Sequence, residues 1–567
     1  MKEAIVKLLK EALAKKKINL KEEEIEKFIE VPPSSEMGDY AFPCFFLVKT
    51  LKQEPSQIAL EIREKITAIP DGFEDIQTSG PYINFILDRK TTALNLLQEI
   101  LSKKENFGKT DSGKSKKTMI EFSQPNTHKA FHVGHIRGTS LGESLSRISE
   151  FNSEKVIRAN YSGDTGMHIA KWIWCYKKYH SKEKLKNNEL WIASIYTDAV
   201  KRLAKNKNLQ LQVDEINRKI GTRENKKINE LWKKTRKMSI DSWKKIYKEL
   251  NTKFDVNFFE SELESDGLKI VDELLAKKIA ELSEGAVIIN LNKCGLGVWV
   301  LLRKDKTVLY STKDIALARK KFEEFKIDKN IYVVGAEQSL HMRQLFKTLE
   351  IMGIKEADKC KHVPFSEVRL PTGKMSSRTG ENILYSDFIK EITDYAKKEI
   401  KKRIPKISKT ELEKRALKIS IAAIKYSMLK QTPNKNIIFN KHDALNFEGD
   451  TGPYVLYSYA RASSILRKSK TKLKKVSQLD ELEEKEVDLI KKLSQFPEVV
   501  FNAYTNLNPS VIANYSYHLA QIFNEFYHAC PVIGSENQEF RLLLVEAFRQ
   551  VLKNSTFLLG IDVVERM

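Results

Sequence analysis

The apolar residues of this chain change their spacing along its length, and each spacing predicts a different element. A short apolar run, Thr118 to Phe122, indicates a buried strand, and the helical spacing of Leu141, Leu145 and Ile148 indicates a helix. A second strand is predicted at Lys155 to Asn160. This strand–helix–strand order is typical of an α/β fold with a parallel sheet.

The patterns on either side of this region predict three further parts. Residues 1–110 combine helical stretches at 1–17 and 55–68 with a strand at 80–86, which favours a small α+β unit. Long stretches rich in Lys and Glu over 176–285 predict a helical insertion in the α/β core. From about 385 onward nearly every stretch has helical periodicity, which predicts an appended helical bundle.

After the predicted insertion, the α/β pattern resumes. Strands are expected at Ala286–Leu291, Gly297–Arg303 and Thr307–Tyr310, and a further strand at 331–335 leads into a helix at 339–352. The predicted domains are therefore 1–112 (α+β), 113–400 (Rossmann-type α/β core with the helical insertion) and 401–567 (all-α bundle).

Composition narrows the possible partners. The 567 residues suffice for about three to four domains. Lys and Arg number 98 and the net charge is +23, which favours a polyanionic partner, although a Lys-rich proteome explains part of this excess. Five scattered cysteines without a CxxC pair argue against a zinc site and fit a reducing cytosol. No run of about 18 apolar residues predicts a membrane span.

Two polar stretches are candidates for chemistry. His132 and His135 bracket Val133 and Gly134 between the first strand and its helix, where backbone N–H groups and the positive helix end favour a phosphate. Far downstream, the glycine-flanked run Lys374 to Arg378 (KMSSR) carries two cations. Either stretch alone is more often structural, as a histidine pair near a turn or as a solvated basic loop, but the two together are rare.

These two stretches carry a resemblance to a known family. HVGH and KMSSR are similar to the HIGH and KMSKS motifs of class I aminoacyl-tRNA synthetases. The chain resembles arginyl-tRNA synthetases in particular, through the ordered stretches EFSQPNTHKAFHVGHIRGTSLGE, NYSGDTGMHIA, LYSTKDIALA, VVGAEQSLHMRQ, NFEGDTGPYVLYSYARASSILRK and LLGIDVVERM. GDYAFPCF and GPYINFIL resemble the N-terminal domain of that enzyme. The similarity extends over nearly the whole chain.

The resemblance implies a two-step reaction. Arginine's carboxylate attacks the α-phosphorus of ATP, with Mg²⁺ accompanying the nucleotide, and the arginyl group then passes to the terminal ribose of tRNA-Arg. The residues implied in ATP binding are His132, Gly134, His135, Lys129, Lys374, Met375 and Ser376. Ser377 departs from the motif, because the family usually has a second lysine there, and Lys129 is the expected substitute.

The resemblance also implies residues for arginine and tRNA. Asp314, one helical turn after Tyr310, is expected to bind the guanidinium, while Glu121 and Asn126 hold the α-amino end and Gln338 makes a further contact. Gln124, where relatives have serine, is left out of the site. Tyr454, Tyr457 and Arg461 are candidates for stacking on anticodon bases, although tyrosines at this spacing are more often core. The N-terminal domain is expected at the tRNA elbow.

Other expectations follow from the family: a monomer, in the cytoplasm, whose arginine activation requires bound tRNA. Two alternatives remain open at this point. One is a class I synthetase for another amino acid, which Glu121, Asp314 and the N-terminal domain disfavour. The other is a catalytically inactive tRNA-binding paralogue, which the intact HVGH and KMSSR stretches disfavour.

Overall fold

A computed structural model of the chain describes residues 2–34, 37–70, 72–369, 371, 384–469, 476, 479 and 481–567. The chain divides into two compact units, and each is described by itself. The first comprises Met1–Lys104, Ser469–Ser494 and Glu525–Ala547, and the second comprises Glu105–Lys468, Gln495–Asn524 and Phe548–Met567. The run Lys374 to Arg378 lies outside the described residues.

The first unit contains an antiparallel sheet of three strands in the order β1-β3-β2. Phe42 and Phe85 of this sheet share a core with Ile5 and Leu9 of the first helix. These are the apolar positions that recur every three or four residues in the helix and alternate in the strands. The elements are α1 (Lys2–Lys15), α2 (Glu22–Phe28), β1 (Tyr40–Pro43), α3 (Val48–Leu51), α4 (Pro55–Glu64), β2 (Phe73–Ser79), β3 (Tyr82–Leu87) and α5 (Arg89–Lys103).

The second unit is built on a parallel sheet of five strands, in the order β11-β10-β4-β5-β6. The first strand in sequence, β4, lies in the middle, and the chain adds strands first on one side of it and then on the other. The carboxyl ends of β4 and β10 therefore frame the crevice where α/β sheets bind ligands. The strands are β4 (Lys117–Glu121), β5 (Lys155–Ser162), β6 (Val256–Phe259), β10 (Lys329–Gly335) and β11 (Cys360–Phe365).

Helices connect and cover this sheet. The connection from β4 to β5 is helix α6, which is buried on nearly all faces and packs closely enough on β4 that a Cβ at Gly142 would lie 2.1 Å from Phe122. Between β4 and β11 the chain forms the following elements outside the central sheet: α6 (Val133–Phe151), α7 (Met167–Tyr179), α8 (Glu189–Lys205), α9 (Gln210–Thr222), α10 (Lys226–Glu249), α11 (Glu264–Ala276), β7 (Glu281–Ser283), β8 (Ala286–Asn290), β9 (Val298–Leu302), α12 (Tyr310–Phe325) and α13 (Ser339–Ile351). Strands β7, β8 and β9 form a separate antiparallel sheet.

Among the described residues after β11, the regular elements are helices and one short pairing of β12 with β13. These elements are β12 (Val368–Arg369), α14 (Tyr385–Arg403), α15 (Lys409–Leu429), β13 (Ile437–Ile438), α16 (Lys441–Ala444), α17 (Gly452–Ser469), α18 (Glu484–Ser494), α19 (Phe496–Thr505), α20 (Ser510–Ala529) and α21 (Gln538–Leu558). No helix among the described residues is long and apolar enough to span a membrane.

Two sequence-based predictions are wrong in detail. Thr307–Tyr310 is not a strand, because Val308 makes a single bridge to Leu302 and Tyr310 already begins α12. The stretch 176–285 is not wholly helical, because β6 joins the central sheet beside β5.

Candidate active site

A cavity of about 580 Å³ lies at the crevice between β4 and β10. Its walls come from the carboxyl ends of four parallel strands, β4, β5, β10 and β11, and from the first turns of α6 and α12, as expected for a ligand site in a sheet of this topology. Eight residues predicted for ATP or arginine line it: Glu121, Asn126, His132, Gly134, His135, Tyr310, Asp314 and Gln338. Residues some 200 positions apart in sequence are thus brought to one cavity.

The two histidines begin helix α6 and hold each other in place. His132 is the residue before the first helical turn, its Nδ1 accepts a hydrogen bond from Gly134 N at 3.2 Å, and its own N–H donates to His135 Nδ1 at 3.1 Å. An added Cβ at Gly134 would lie 3.0 Å from the His132 ring, so glycine here leaves room for the imidazole.

Both imidazoles are neutral near pH 7. Burial, with the Lys129 ammonium second, lowers the pKa of His132 to about 4. Burial and then His132 and Lys129 lower the pKa of His135 well below its ordinary value. Because each Nδ1 accepts a hydrogen bond, each Nε2 carries the proton. The pair therefore offers two N–H donors at a positive helix end, rather than an imidazolium charge.

Lys129 lies next to this cavity rather than in it. It lines an adjoining cavity of about 560 Å³, whose wall also includes Asn126, His132 and His135. The Lys129 ammonium lies 5.8 Å from the centre of the Tyr196 ring, and burial lowers its pKa.

The other predicted ATP ligands, Lys374, Met375 and Ser376, lie outside the described residues. The residues that follow them are described. Leu384 makes a β-bridge with His132, and Tyr385 N donates to Phe131 O at 2.9 Å. Leu384 and Tyr385 thus bring the chain back to the HVGH loop downstream of the KMSSR stretch.

The predicted arginine ligands already have partners. Lys321 Nζ, fully buried, donates to Glu121 Oε2 at 2.5 Å. The Glu121 carboxylate is therefore neutralised by the protein itself, which weakens its predicted role as counter-ion of a substrate ammonium. Asp314 Oδ2 accepts a hydrogen bond from His341 Nε2 at 2.6 Å, and the His341 ring packs against that of Tyr310, with centroids 4.8 Å apart.

Several lining residues escaped the sequence analysis. Gln124, which was not expected in the pocket, lines the cavity, and its Nε2 donates to Glu121 Oε1 at 3.3 Å. Glu260 lines the wall near Asp314, and burial raises its pKa although Lys313 opposes the shift. The Tyr161 hydroxyl is buried at the wall without a hydrogen-bond partner in the described part of the chain. Of these three residues, only Tyr161 could have been expected at the cavity from the sequence, because it follows the end of the predicted second strand.

Charge distinguishes this cavity. Among the described residues, Lys321 is its one cationic side chain. Five carboxylates also line the cavity, those of Glu121, Glu260, Asp314, Glu337 and Glu367. An excess of negative charge in a partly enclosed site favours a cationic ligand.

The loop from β4 to α6 is strained where it borders the cavity. Ser123, Gln124 and His128 have φ angles of 80°, 50° and 62°, a conformation that non-glycine residues seldom adopt. His128 is held by α10, through Thr235 Oγ1 at 2.7 Å from its Nε2 and Ser239 Oγ accepting from its N–H at 3.0 Å. Such strain persists only where the surroundings enforce it, and it is common at functional sites.

The candidates for anticodon stacking lie on α17 and are half-buried. Tyr454 OH accepts a hydrogen bond from Asn524, and Arg461 also donates to Asn524 while its guanidinium lies 4.9 Å from the centre of the Tyr457 ring. These contacts give the three side chains structural partners, so a role in stacking stays a prediction.

One further group of possible metal ligands lies in the described residues. Cys175, His180 and Asp198 bring their ligand atoms within 4.8 Å of one another. Asp198 Oδ2 is paired with Arg202 at 2.8 Å, and this fixed positive charge opposes a cation there.

The parallel sheet, the crevice at its switch point and the histidine pair at the start of α6 together define a class I aminoacyl-tRNA synthetase. Residues 96–441 match the family described as tRNA synthetases class I (R), catalytic domain. Residues 455–567 match the DALR anticodon binding domain, and residues 3–87 match the arginyl tRNA synthetase N terminal domain.

Curated relatives and a solved structure narrow this class. Arginine–tRNA ligases of Clostridium acetobutylicum and Clostridium perfringens are each 37% identical to this chain, over 97% and 98% of it and 98% of each relative. The structure of Thermus thermophilus arginyl-tRNA synthetase superposes with a TM-score of 0.81 at 25% identity, with full coverage of both chains. The chain therefore belongs to the arginyl-tRNA synthetase family. The family, fold class and ligase activity predicted from the sequence are thereby confirmed.

Proposed function

We propose that the chain activates L-arginine with ATP in the 580 Å³ cavity and transfers it to the 3′ end of tRNA-Arg. In the first step a carboxylate oxygen of arginine forms a bond to the α-phosphorus, and the bond to pyrophosphate breaks. In the second step a ribose hydroxyl of the tRNA attacks the activated carbonyl carbon, and AMP leaves. The observation that carries this proposal is a carboxylate-rich cavity beside two neutral histidine donors.

The histidine pair serves the phosphates. The Nε2–H groups of His132 and His135, together with the first N–H groups of α6, are placed to donate to oxygens whose negative charge grows at the α-phosphorus. Neutral donors fit this role because they need no proton transfer to act. Gly134 keeps the turn free of a side chain beside the His132 ring.

Asp314 and Glu260 serve the substrate's cationic end. A guanidinium matches carboxylate acceptors, and Tyr310 presents its ring on the same face of α12 as Asp314. Asn126 and Gln338 then face the polar end of arginine. Glu121, already paired with Lys321, fixes the floor of the site and the side chain of Gln124.

We assign the cationic clamp on ATP to Lys374 together with Lys129. Lys129 supports this assignment by lying beside both histidines in the adjoining cavity. Lys129→Ala is expected to lower ATP–pyrophosphate exchange by about 10²-fold, because it removes a charge facing the phosphates in a partly buried site. Unchanged exchange would exclude Lys129 from the clamp.

Mg²⁺ belongs to the same proposal and accompanies ATP. Mg²⁺ prefers several hard oxygen ligands, and the group Cys175, His180 and Asp198 provides only the Asp198 carboxylate, which is already paired with Arg202. Nucleotide phosphates and water supply such ligands, with the cavity's carboxylates nearby. A monomeric state, cytoplasmic location and activation that requires tRNA complete the proposal.

ATP–pyrophosphate exchange over a panel of amino acids, with and without tRNA, tests the whole scheme. Exchange that depends on both arginine and tRNA is the expected result. Exchange with another amino acid would identify a different class I synthetase, and none under any condition would identify an inactive tRNA-binding paralogue.

A further inference from the structure

Helix α10 carries an unusual distribution of charge. Over 24 residues it has nine basic and three acidic side chains, whereas the 19-residue α14 has six and four. All eight of its lysines are exposed: Lys226, Lys227, Lys233, Lys234, Lys237, Lys244, Lys245 and Lys248. We refer to these eight residues as the lysine stripe.

Helical geometry places the stripe on one face. At 3.6 residues per turn the eight Cα positions fall within an arc of about 120°, and at 1.5 Å per residue the stripe is about 33 Å long. Of these eight lysines, only Lys237 and Lys244 form ion pairs within the described structure, both with Asp241. Like charges three and four residues apart destabilise a helix. The stripe therefore lowers the stability of α10, and a bound polyanion would neutralise this repulsion.

The opposite face of α10 is fixed to the active-site loops. Trp232 Nε1 donates to Asp164 O at 2.8 Å, and Arg236 pairs with the buried Asp164 carboxylate at 2.7 Å. Further along, Tyr247 OH lies 2.9 Å from Ser123 Oγ, in the loop that leads to the HVGH residues. A polyanion that follows the stripe is therefore held by the same helix that shapes the catalytic cavity.

We infer that the lysine stripe of α10 is a docking surface for the phosphate backbone of the RNA substrate. The inference rests on the proposed function, which supplies an RNA whose end must reach the cavity. Eight ammonium groups along about 33 Å match a row of phosphates without reading bases, since lysine binds phosphate as a point charge. The contact sets affinity and register, while amino-acid recognition stays with the cavity.

Two quadruple variants test the inference. The stripe variant is K226Q/K233Q/K245Q/K248Q, at lysines without an ion pair in the described part of the chain. The control variant is K116Q/K155Q/K355Q/K359Q, which removes four exposed lysines at the amino ends of β4, β5 and β11, the sheet edge away from the cavity. Both variants lose the same net charge, so a difference between them reports location. Circular dichroism melts check that both fold.

Binding of tRNA is measured by fluorescence anisotropy between about 50 and 200 mM salt. The stripe variant is expected to bind about tenfold or more weakly, with a log–log salt slope shallower by about 3, since each lost phosphate contact removes 0.7–0.9. The KM values for ATP and arginine at saturating tRNA should stay within about twofold. Equal weakening in both variants, or a weakened stripe variant with an unchanged salt slope, would overturn the inference.

Vesicles of phosphatidylserine and phosphatidylcholine test whether the lysine stripe binds an anionic membrane surface instead of RNA. If the stripe variant lost vesicle binding but kept the wild-type affinity for tRNA, the surface would serve a membrane and the inference would be wrong. Aminoacylation separates the two proposals. Wild-type protein that binds tRNA through the stripe but charges it with no arginine would support the docking surface and overturn the proposed function.

Discussion

At the scale of single residues, the proposed function assigns recognition of the guanidinium mainly to Asp314. Its carboxylate is held by His341 and lies near Glu260, so it is both oriented and part of an acidic wall. Asp314→Asn keeps the shape and removes the charge. We expect kcat/KM for arginine to fall by about 10²–10³-fold, as for other buried charge pairs, with KM for ATP within about twofold.

Exchange kinetics with arginine and ATP varied separately measure this effect. Asp272→Asn, at an exposed acid on α11, is the matched control and should behave as wild type. An equal loss for both substrates would mean that Asp314 supports the fold of the site rather than the selection of arginine.

The histidine pair gives a prediction about pH. The pKa of His132 is about 4 in the folded chain, below its ordinary value of 6.5, so the unfolded chain binds more protons between these values. The neutral pair is thus retained above pH 6.5, and stability falls as the pH drops toward 4. NMR of labelled histidines should show no titration of His132 or His135 between pH 8 and 5.5. A titration near 6.5 would contradict the neutral state and would mean that the pair can act as imidazolium cations near neutral pH.

At the scale of elements, local patterns predicted much of the core. Apolar runs and helical periodicity predicted β4, β5 and α13 nearly to their ends and the presence of α6, because these elements are buried in ways that repeat along the sequence. β6 was missed because its four residues stand alone among Lys-rich helices. Its only signal is pairing with β5, which is a contact at a distance in sequence.

Contacts between residues far apart in sequence also explain the part of the site that was not predicted. Glu121 was recognised as an acid of the pocket, but its buried partner Lys321 lies 200 residues away and nothing in the local sequence connects them. Glu260 and Tyr161 likewise reach the cavity only through the sheet order. The phosphate site at His132 was predicted from its position between a strand and a helix, whereas the expected role of Asp314 came only from the resemblance of whole motifs to a family.

Helix α8 connects the residue before HVGH with a residue downstream of the KMSSR stretch. Its first residue, Glu189, is buried and accepts hydrogen bonds from Phe131 N, just before HVGH, and from Ser386 Oγ, at the start of α14. Burial raises the pKa of Glu189 to about 7; the two hydrogen bonds oppose this, and the nearby Asp387 and Glu249 carboxylates add to it.

The shift at Glu189 makes stability depend on pH. A folded pKa above the unfolded value of about 4.5 means that the folded chain binds more protons between pH 4.5 and 7, so stability falls across this range and the penalty is complete above 7. Glu189→Gln should match wild type near pH 4.5 and be more stable by up to about 3 kcal/mol at pH 8. Urea unfolding at both pH values measures this, with Glu189→Ala as the variant that loses both hydrogen bonds. An advantage of Gln that does not grow with pH would refute the assignment.

At the scale of the whole molecule, the end of the chain is anchored on the catalytic core of the second unit. Arg147 and Ser144, on the same helix as HVGH, donate to Phe557 O and Leu558 O at 3.0 and 2.8 Å. Lys425 of α15, fully buried, donates to Leu250 O at 2.7 Å and Gly560 O at 3.0 Å. The carbonyls that α21 leaves unpaired at its end are thus satisfied by helices of the core.

Gly560→Ala tests whether this anchor matters to catalysis. Gly560 has φ of 68°, and an added Cβ would lie 2.4 Å from Lys425 Nζ, so alanine introduces backbone strain and displaces the lysine from two carbonyls. Gly353→Ala is the matched control, because its φ of 77° gives the same strain with no atom within 4 Å. We expect losses of about 1 kcal/mol for the control and about 3 kcal/mol for Gly560→Ala, since the latter also leaves buried polar groups unpaired.

The decisive measurement is pyrophosphate exchange well below the unfolding temperature of either variant. If the tail helps to position α6, Gly560→Ala should lower exchange several-fold while Gly353→Ala leaves it unchanged, because the anchored helix carries the histidine donors at its other end. A Gly560→Ala protein with lower stability and full exchange would show that the anchor stabilises the fold without positioning the site. The comparison therefore separates a stabilising role of the closing segment from a catalytic one.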